Sequence, residues 1–481
     1  MNPVYAVQNY INGRFQTGSS ELVPVLNPAT DEVLTEVPEA SPAEVESALA
    51  AAAEAQPGWG RCPAIERAGF LRAIARRIRE EVEPLARLIS EEQGKVLSLS
   101  RVEVAFAADY LDYMAEWARR IEGEIIPSDR AQEKIFMFRI PIGVVAGILP
   151  WNFPFFLIVR KLAPALLTGN TVVIKPSEET PINAHAFMRL VAETGLPPGV
   201  VNFVYGRGAT VGQLLACSPR VGLVSFTGSI ATGAKIMHAA ADQITKVNLE
   251  LGGKAPAIVL ADADLDLAVT AIAASRLINS GQVCNCAERV YVQRQVAAEF
   301  TEKLANTMKK ARFGNPLESE ELDYGPLINA AGLQKVDRLV AGAVAAGASV
   351  VTGGRIADKQ PGHYYEPTVL ADCTQQMDII QREVFGPVLP IVIVEDLEQA
   401  ITFANQSDYG LTSSLYTRDI NRAMHACTEL RFGETYVNRE NFEAMQGYHA
   451  GLRKSGIGGA DGKYGLLEFT QTHMVYLQYQ P

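Results

Sequence analysis

Four apolar runs between residues 143 and 228 decide the fold: GVVAGILP (143–150), TVVIKPS (171–177), VNFVYG (201–206) and VGLVSFTG (221–228). They do not alternate between polar and apolar, as a half-exposed strand would, so they read as strands covered on both faces. Segments with helical spacing lie beside them: Pro154–Leu167, Ile182–Thr194, Thr210–Cys217 and Ala231–Gln243. That alternation is the pattern of parallel βαβ units, and it predicts a parallel sheet with helices on its faces. A second α/β region follows, with APAIVL (255–260), RVYVQ (289–293), SVVTGG (349–354), PVLPIVIV (387–394), SSLYT (413–417) and ETYVN (434–438) as its strand-like runs. Helical stretches near 264–278, 295–312, 328–346 and 397–406 separate these runs.

Upstream, Asn12-Gly13 between apolar residues predicts a tight hairpin. Ser41 is placed to cap a helix starting at Pro42, and further helices are expected over 64–93 and 98–121. The tail TQTHMVYLQYQ (470–480) alternates like an exposed strand, and 122–140 has the same character. The two are expected to pair as an arm whose open edge needs a partner chain.

With 481 residues, 48% of them hydrophobic and 20% charged, the chain has the balance of an ordinary multi-domain globular protein. A net charge of −11 argues against nucleic acid as a partner. The first residues carry no basic, apolar secretory start, and the longest apolar runs, such as Val144–Leu149, are far short of a membrane span. Six cysteines without disulfide or metal-ligand spacing suggest a reduced, cytoplasmic protein with no metal.

Several short stretches carry chemistry. INSGQVCNCAERVYV (278–292) sets Cys284 in a polar turn before a strand-like run, where it can serve as a thiolate nucleophile or pack as a buried structural cysteine. LELGGKAP (249–256) ends a strand-like run on Glu250 before a Gly-Gly turn, where a carboxylate can act as a base or simply face solvent. ILPWNFP (148–154) puts Asn152 where it can donate to an oxyanion or cap the next helix. Lys175, Ser177 and Glu178 follow another run, and Gly228-Ser229 form a strand-to-helix turn suited to phosphate. Gly206 and Gly208 begin a G-x-G-x-x-G pattern but do not complete it. These residues alone predict a two-domain α/β protein that binds a nucleotide.

Taken together, PWNFP, KPSE, FTGS, LELGGK, GQVC, EVFGPVLP (383–390) and RKSGIG (453–458) resemble the aldehyde dehydrogenase family in order and spacing over nearly the whole chain. The resemblance implies an α/β fold with a Rossmann-type NAD domain (1–121 and 141–252), an α/β catalytic domain (253–466) and a small β oligomerisation arm (122–140 and 467–481). It implies Cys284 as nucleophile with Cys286 a bystander, Glu250 as general base, and Asn152 with the Cys284 N–H as oxyanion donors. Lys175, Ser177, Glu178, Gly208, Gly228 and Ser229 fall to the adenosine and pyrophosphate of NAD. Trp151, Glu383 and Phe385 fall to its nicotinamide end.

One departure stands out: where the family usually has Arg-Glu after S-G-x-G, this chain reads Gly459-Ala460-Asp461. Within the family, RVEVAFAADYLDYMAEWARR (101–120), the Cys284 stretch and residues 438–463 are most like the lactaldehyde and glycolaldehyde branch. Arg160, Asn285, Glu443 and His449 are accordingly expected to line a pocket for a small hydroxyaldehyde in a homotetramer. A succinate-semialdehyde or other short-chain aldehyde dehydrogenase, a coenzyme A-acylating dehydrogenase and a non-enzymatic relative are the rival readings.

Overall fold

The structure, a computed structural model, describes residues 5–358 and 361–480. Residues 1–4, 359–360 and 481, which the sequence reading gave to the two large domains and the arm, lie outside it. Two large sheets organise the chain. The first has eight strands in the order 456–457, 246–251, 221–228, 144–148, 171–175, 201–203, 9–11 and 14–16. Its five central strands run parallel, as their apolar runs predict. The N-terminal hairpin closes one edge, with Asn12 and Gly13 both at positive φ (49° and 79°), as a type I′ turn demands.

The second sheet has seven strands in the order 349–352, 368–371, 388–394, 287–293, 255–259, 412–416 and 434–437. All neighbours are parallel except the edge pair 349–352 with 368–371. Strand 368–371 and helix Ile420–Glu429 have no counterpart in the sequence reading: the first is four residues long, and the second buries only Ala423 and Ala426. Strand Gly456–Ile457 pairs antiparallel with Leu249 and Glu250. A segment assigned from sequence to the second α/β region therefore edges the first sheet.

The helices follow local chemistry. Ser41 and Glu44 form a reciprocal capping box on helix Pro42–Arg61, the Ser41 N–H donating to Glu44 Oε2 at 2.7 Å. The single helix expected over 64–93 is two, Ala64–Glu80 and Val82–Gln93, broken at Glu81 (φ −123°, ψ 25°). Pro84 sits in the first turn of the second helix, where its missing N–H costs nothing. The helix expected from Pro154 begins at Phe156 and is buried on every side, including Arg160 and Lys161. The helix expected over 98–121 ends at Glu116 and is followed by a single 3-10 turn.

The tail does pair with the earlier segment. Strand 470–478 runs antiparallel to 133–141 from Thr470↔Pro141 to Gln478↔Glu133, and 124–126 adds a third strand. This ribbon exposes large apolar side chains, Ile125 at 73% and Tyr476 at 63%. Among the described residues no helix is long and apolar enough to cross a membrane.

Register brings the site together. Ile148 pairs with Lys175 on one side and with Phe226 on the other, and Thr227 pairs with Glu250. The Asn152 loop, Lys175, Gly228-Ser229 and Glu250 therefore leave one carboxyl edge of the first sheet side by side. Cys284, Glu383-Phe385 and Glu434 stand at the amino ends of strands 287–293, 388–394 and 434–437 of the second. Ligand sites of open α/β sheets form in such a crevice beyond the carboxyl ends of strands.

Candidate active site

A cavity of about 280 Å³ lies between those two edges. Cys284, Asn152 and Glu250 line it, and so do Arg160, Asn285 and Glu443. Towards the other mouth it is lined by Trp151, Gly228, Ser229, Glu383 and Phe385. Leu99, Val102, Phe106, Phe156, Leu157 and Phe442 make much of the remaining wall apolar.

Cys284 is delivered by a strained turn. Asn279, Ser280 and Gly281 all have left-handed backbone (φ 47°, 61° and 77°). Residues other than glycine adopt this at a cost of about 1–3 kcal/mol each, and the conformation persists only when neighbours hold it. Asn279 Nδ2 donates to the Asn152 carbonyl at 2.9 Å, and Ser280 Oγ to the Gly325 carbonyl at 2.8 Å. A Cβ on Gly281 would lie 2.3 Å from the Gly386 carbonyl oxygen, so the turn admits only glycine there. Cys286, two residues beyond the nucleophile candidate, is fully buried; burial pushes its thiol up to about 12, and Sγ lies 2.9 Å from the Val283 carbonyl. It is a packed thiol with no access to the cavity.

Asn152 is not a helix cap, since the next helix starts at Phe156. Its Nδ2 donates to the Gln282 carbonyl at 3.0 Å, beside the Cys284 backbone. The loop is pinned from behind: Lys95 Nζ donates to the Asn152 carbonyl at 2.8 Å and is ion-paired with Glu103. Glu103 also accepts the N–H groups of Phe155 and Phe156 at 2.9 and 3.0 Å, which satisfies the first turn of a helix that has no side-chain cap.

Glu250 is buried and held by cations. Lys161 Nζ donates to Oε1 at 2.7 Å, Thr227 Oγ1 donates to Oε2 at 3.1 Å, and Arg160 Nη1 stands 3.9 Å from Oε2. Burial alone would raise the Glu250 pKa, but Lys161 and Arg160 outweigh it and hold it at about 2. In this arrangement the carboxylate is ionised and a weak base; base catalysis requires it to leave Lys161. Lys161 was missed by the sequence reading, although two successive cations inside the apolar stretch FFLIVRKLAP were a usable signal.

Arg160 gives most of its guanidinium to Asp461: Nε donates to Oδ1 at 3.0 Å, and Nη2 makes a second, shorter bond to Oδ2. Glu443 Oε1 is 3.6 Å from Nη1, and Asn285 Nδ2 donates to Glu443 Oε2. Asp461, the departure from the family pattern, thus has both oxygens on Arg160. His449 does not line the cavity. It is buried behind it, with Nδ1 2.5 Å from Glu434 Oε1. The sequence reading placed His449 at the substrate and did not find Glu434.

Of the residues that the resemblance gives to the nucleotide, Gly228 and Ser229 line the cavity, while Lys175, Ser177, Glu178 and Gly208 do not and lie along the carboxyl edge of the first sheet. Lys175 Nζ bonds Glu178 Oε2 at 2.7 Å, and the Gly208 N–H donates to Glu178 Oε1 at 3.2 Å. Ser177 Oγ accepts the Glu179 N–H at 3.2 Å. Ser229 caps helix Ile230–Ala241, accepting the Thr232 N–H, so the N–H groups and positive dipole end of that helix face the cavity mouth. Trp151 and Phe385 meet edge to face at 5.6 Å, and the Gly253 N–H donates to Glu383 Oε1 at 2.9 Å. An ionised acid beside a lysine, an open helix N-terminus and an aromatic pair suit the ribose, phosphate and ring of a dinucleotide.

Comparison with known proteins gives the chain's family and relatives. The aldehyde dehydrogenase family model matches residues 15–475. The chain is 59% identical to lactaldehyde dehydrogenase of Escherichia coli over 98% of both chains. The crystal structure of that protein superposes with a TM-score of 0.97 over 98% of this chain and 99% of the other. A D-glyceraldehyde dehydrogenase (NADP(+)) of Thermoplasma acidophilum is 38% identical over 98% of this chain and 96% of its own. Betaine aldehyde dehydrogenase of Staphylococcus aureus, solved in complex with NAD+, is 34% identical with a TM-score of 0.96, over 99% and 96% of the two chains.

Proposed function

The chain belongs to the aldehyde dehydrogenase family, and from that premise we propose that it oxidises a small hydroxyaldehyde, lactaldehyde or glycolaldehyde, to its acid with NAD, through a thioester on Cys284. The observation that carries the reading is the meeting of Cys284, Asn152 and Glu250 on one small cavity whose polar end is built by Arg160, Asn285 and Glu443. The thiolate of Cys284 adds to the aldehyde carbon. The oxygen that becomes anionic is met by Asn152 Nδ2, which exchanges the Gln282 carbonyl for it, and by the Cys284 N–H. The nicotinamide cofactor, when bound, supplies the hydride acceptor. Glu250, released from Lys161, takes a proton from the water that cleaves the thioester. A water-activating carboxylate on the same cavity favours hydrolysis over transfer to coenzyme A.

An α-hydroxyl suits the polar end of the cavity, where an apolar chain would leave polar groups without partners. Two of the relatives are named for hydroxyaldehydes, lactaldehyde and D-glyceraldehyde. A dicarboxylic semialdehyde needs a free cation for its second carboxylate, and Arg160 is already matched by Asp461 and Glu443. NAD is preferred over NADP because ionised Glu178 would face a 2′-phosphate, a repulsion on the order of 4 kcal/mol at contact. Residues 1–121 with 141–252 are assigned to cofactor binding and 253–466 to catalysis. The ribbon 124–141 with 470–478 is assigned as the contact of a tetramer in the cytoplasm.

The test is a panel of specificity constants for lactaldehyde, glycolaldehyde, butyraldehyde and succinate semialdehyde, with NAD and NADP, with and without coenzyme A. A hydroxyaldehyde with NAD should lead, with no need for coenzyme A. If butyraldehyde or succinate semialdehyde leads, the substrate reading is wrong.

A further inference from the structure

We infer that Lys95 is a positioning residue for the reaction: it holds the Asn152 carbonyl and so sets the oxyanion donor against the turn that carries Cys284. The inference rests on the proposed roles of Asn152 and Cys284 and adds a residue to them.

The Asn152 carbonyl is a junction. It accepts Lys95 Nζ at 2.8 Å and Asn279 Nδ2 at 2.9 Å. Asn152 answers with its own amide, Nδ2 donating to the Gln282 carbonyl at 3.0 Å. The residue is thus bonded twice to the segment 279–282 that delivers Cys284, and Lys95 ties it to the helices behind. A shift of Asn152 along the turn must bend or break the bond from Lys95.

Lys95 is itself fixed. The three N–H groups of its ammonium have three takers: the Asn152 carbonyl, Glu103 Oε2 and the ring face of Phe153, whose centroid lies 3.6 Å from Nζ. The other oxygen of Glu103 accepts the N–H groups of Phe155 and Phe156, so the pair grips residues 152–156 at both ends. Gly94 closes helix Val82–Gln93 at φ 80°, so near Pro326 and Pro28 that a Cβ there would lie 2.6 and 2.9 Å from their ring carbons. Lys95 is 1% exposed and does not line the cavity, so it acts through Asn152 and not on the substrate. Stability alone is a poor reason for such a pair, since an apolar pair of similar volume is often as stable. Position is a better one: a misplacement of about 1 Å in a reacting group can cost on the order of a hundredfold in rate.

The test reads the first turnover by rapid mixing with lactaldehyde and NAD, because NADH appears in the step that the oxyanion donor assists. Asn152→Ala should slow it about 10²- to 10³-fold, and Lys95→Met about 10- to 100-fold. Alkylation of Cys284 by iodoacetamide builds no oxyanion, and in Lys95→Met it should stay within about twofold of wild type. It is read on the Cys284 peptide, so that exposed Cys217 and Cys427 do not interfere. In the Asn152→Ala background Lys95→Met should add less than about twofold, because the group that it positions is gone. A merely structural Lys95 would slow alkylation as well, or would add its full loss to that of Asn152→Ala. Either result overturns the inference, as does a Lys95→Met first turnover within about threefold of wild type. If Lys95→Met does not fold because Glu103 is left buried and unpaired, the neutral pair Lys95→Met with Glu103→Gln is read in its place. If the neutral pair does not fold either, Lys95 serves folding and the inference is overturned. An Asn152→Ala enzyme with the wild-type first turnover removes the oxyanion role of Asn152 itself, and the inference falls with it.

Discussion

Two clusters of buried charge sit within this fold, and they are built on opposite plans. In the first, Glu288 meets Lys254 at 2.6 Å and Arg276 at 2.7 Å, and it also accepts the N–H groups of Val384 and Phe385, each at 3.0 Å. Arg276 goes on to the carbonyls of Ala287 and Gly281. The set is sealed: Lys254, Arg276 and Glu288 are at most 1% exposed and none lines the cavity. In the second, Arg160, Lys161 and His449 are shared among Glu250, Glu443, Asp461 and Glu434, and three of its members line the cavity. A buried ion pair adds little net stability, because desolvation offsets attraction. The sealed cluster is therefore best understood as a clamp that fixes the Gly281 turn against the loop of residues 383–385. The open cluster has carboxylates that can change partners, which is what acid–base chemistry requires.

The largest expected effect separates two thiols that differ in the same way. Cys284→Ala should lower turnover by at least about 10⁴-fold, while Cys286→Ser keeps activity within about threefold, measured as steady-state NADH formation. The opposite ranking would reverse the open and sealed assignments.

Breaking the sealed cluster should cost stability. Glu288→Ala leaves two buried cations without their carboxylate and should lose about 3–5 kcal/mol, read from urea unfolding. Its pH dependence has a definite sign. Burial would raise the Glu288 pKa, but Lys254 and Arg276 lower it to about 2. The contribution is therefore complete above the ordinary carboxylate value of about 4.3 and fades as the pH falls towards about 2. Glu288→Ala should show less loss than wild type across that acid range.

The open cluster should respond in selectivity. Asp461→Asn removes the charge that occupies Arg160, so the freed guanidinium can take the distal carboxylate of succinate semialdehyde. The specificity constant for that substrate should rise about tenfold relative to lactaldehyde. An unchanged ratio would mean that Asp461 does not set the charge available at Arg160.

The contrast between the clusters also marks how far the sequence could be read. Strands were legible where apolar runs were long, and Ser41 and Asn12-Gly13 were legible because their chemistry is local. The break at Glu81 carried a signal, Pro84, that fits the first turn of a helix as well as it signals a break. Cys284, Glu250 and Asn152 were legible through family motifs. Their partners were not, because pairing here is tertiary: Arg160 finds Asp461 across 301 residues, and Lys161 finds Glu250 across 89. His449 shows the limit most plainly. Position in the chain put it near the site, but only the fold puts Glu434 against its ring.

The central claim, a thioester on Cys284 resolved by Glu250, is tested most directly by rapid mixing of Glu250→Gln with lactaldehyde and NAD. The account predicts a first burst of about one NADH per active site, an acyl mass on the Cys284 peptide, and steady turnover lowered about 10²- to 10⁴-fold. Steady turnover equal to wild type, or loss of the burst together with turnover, would contradict it.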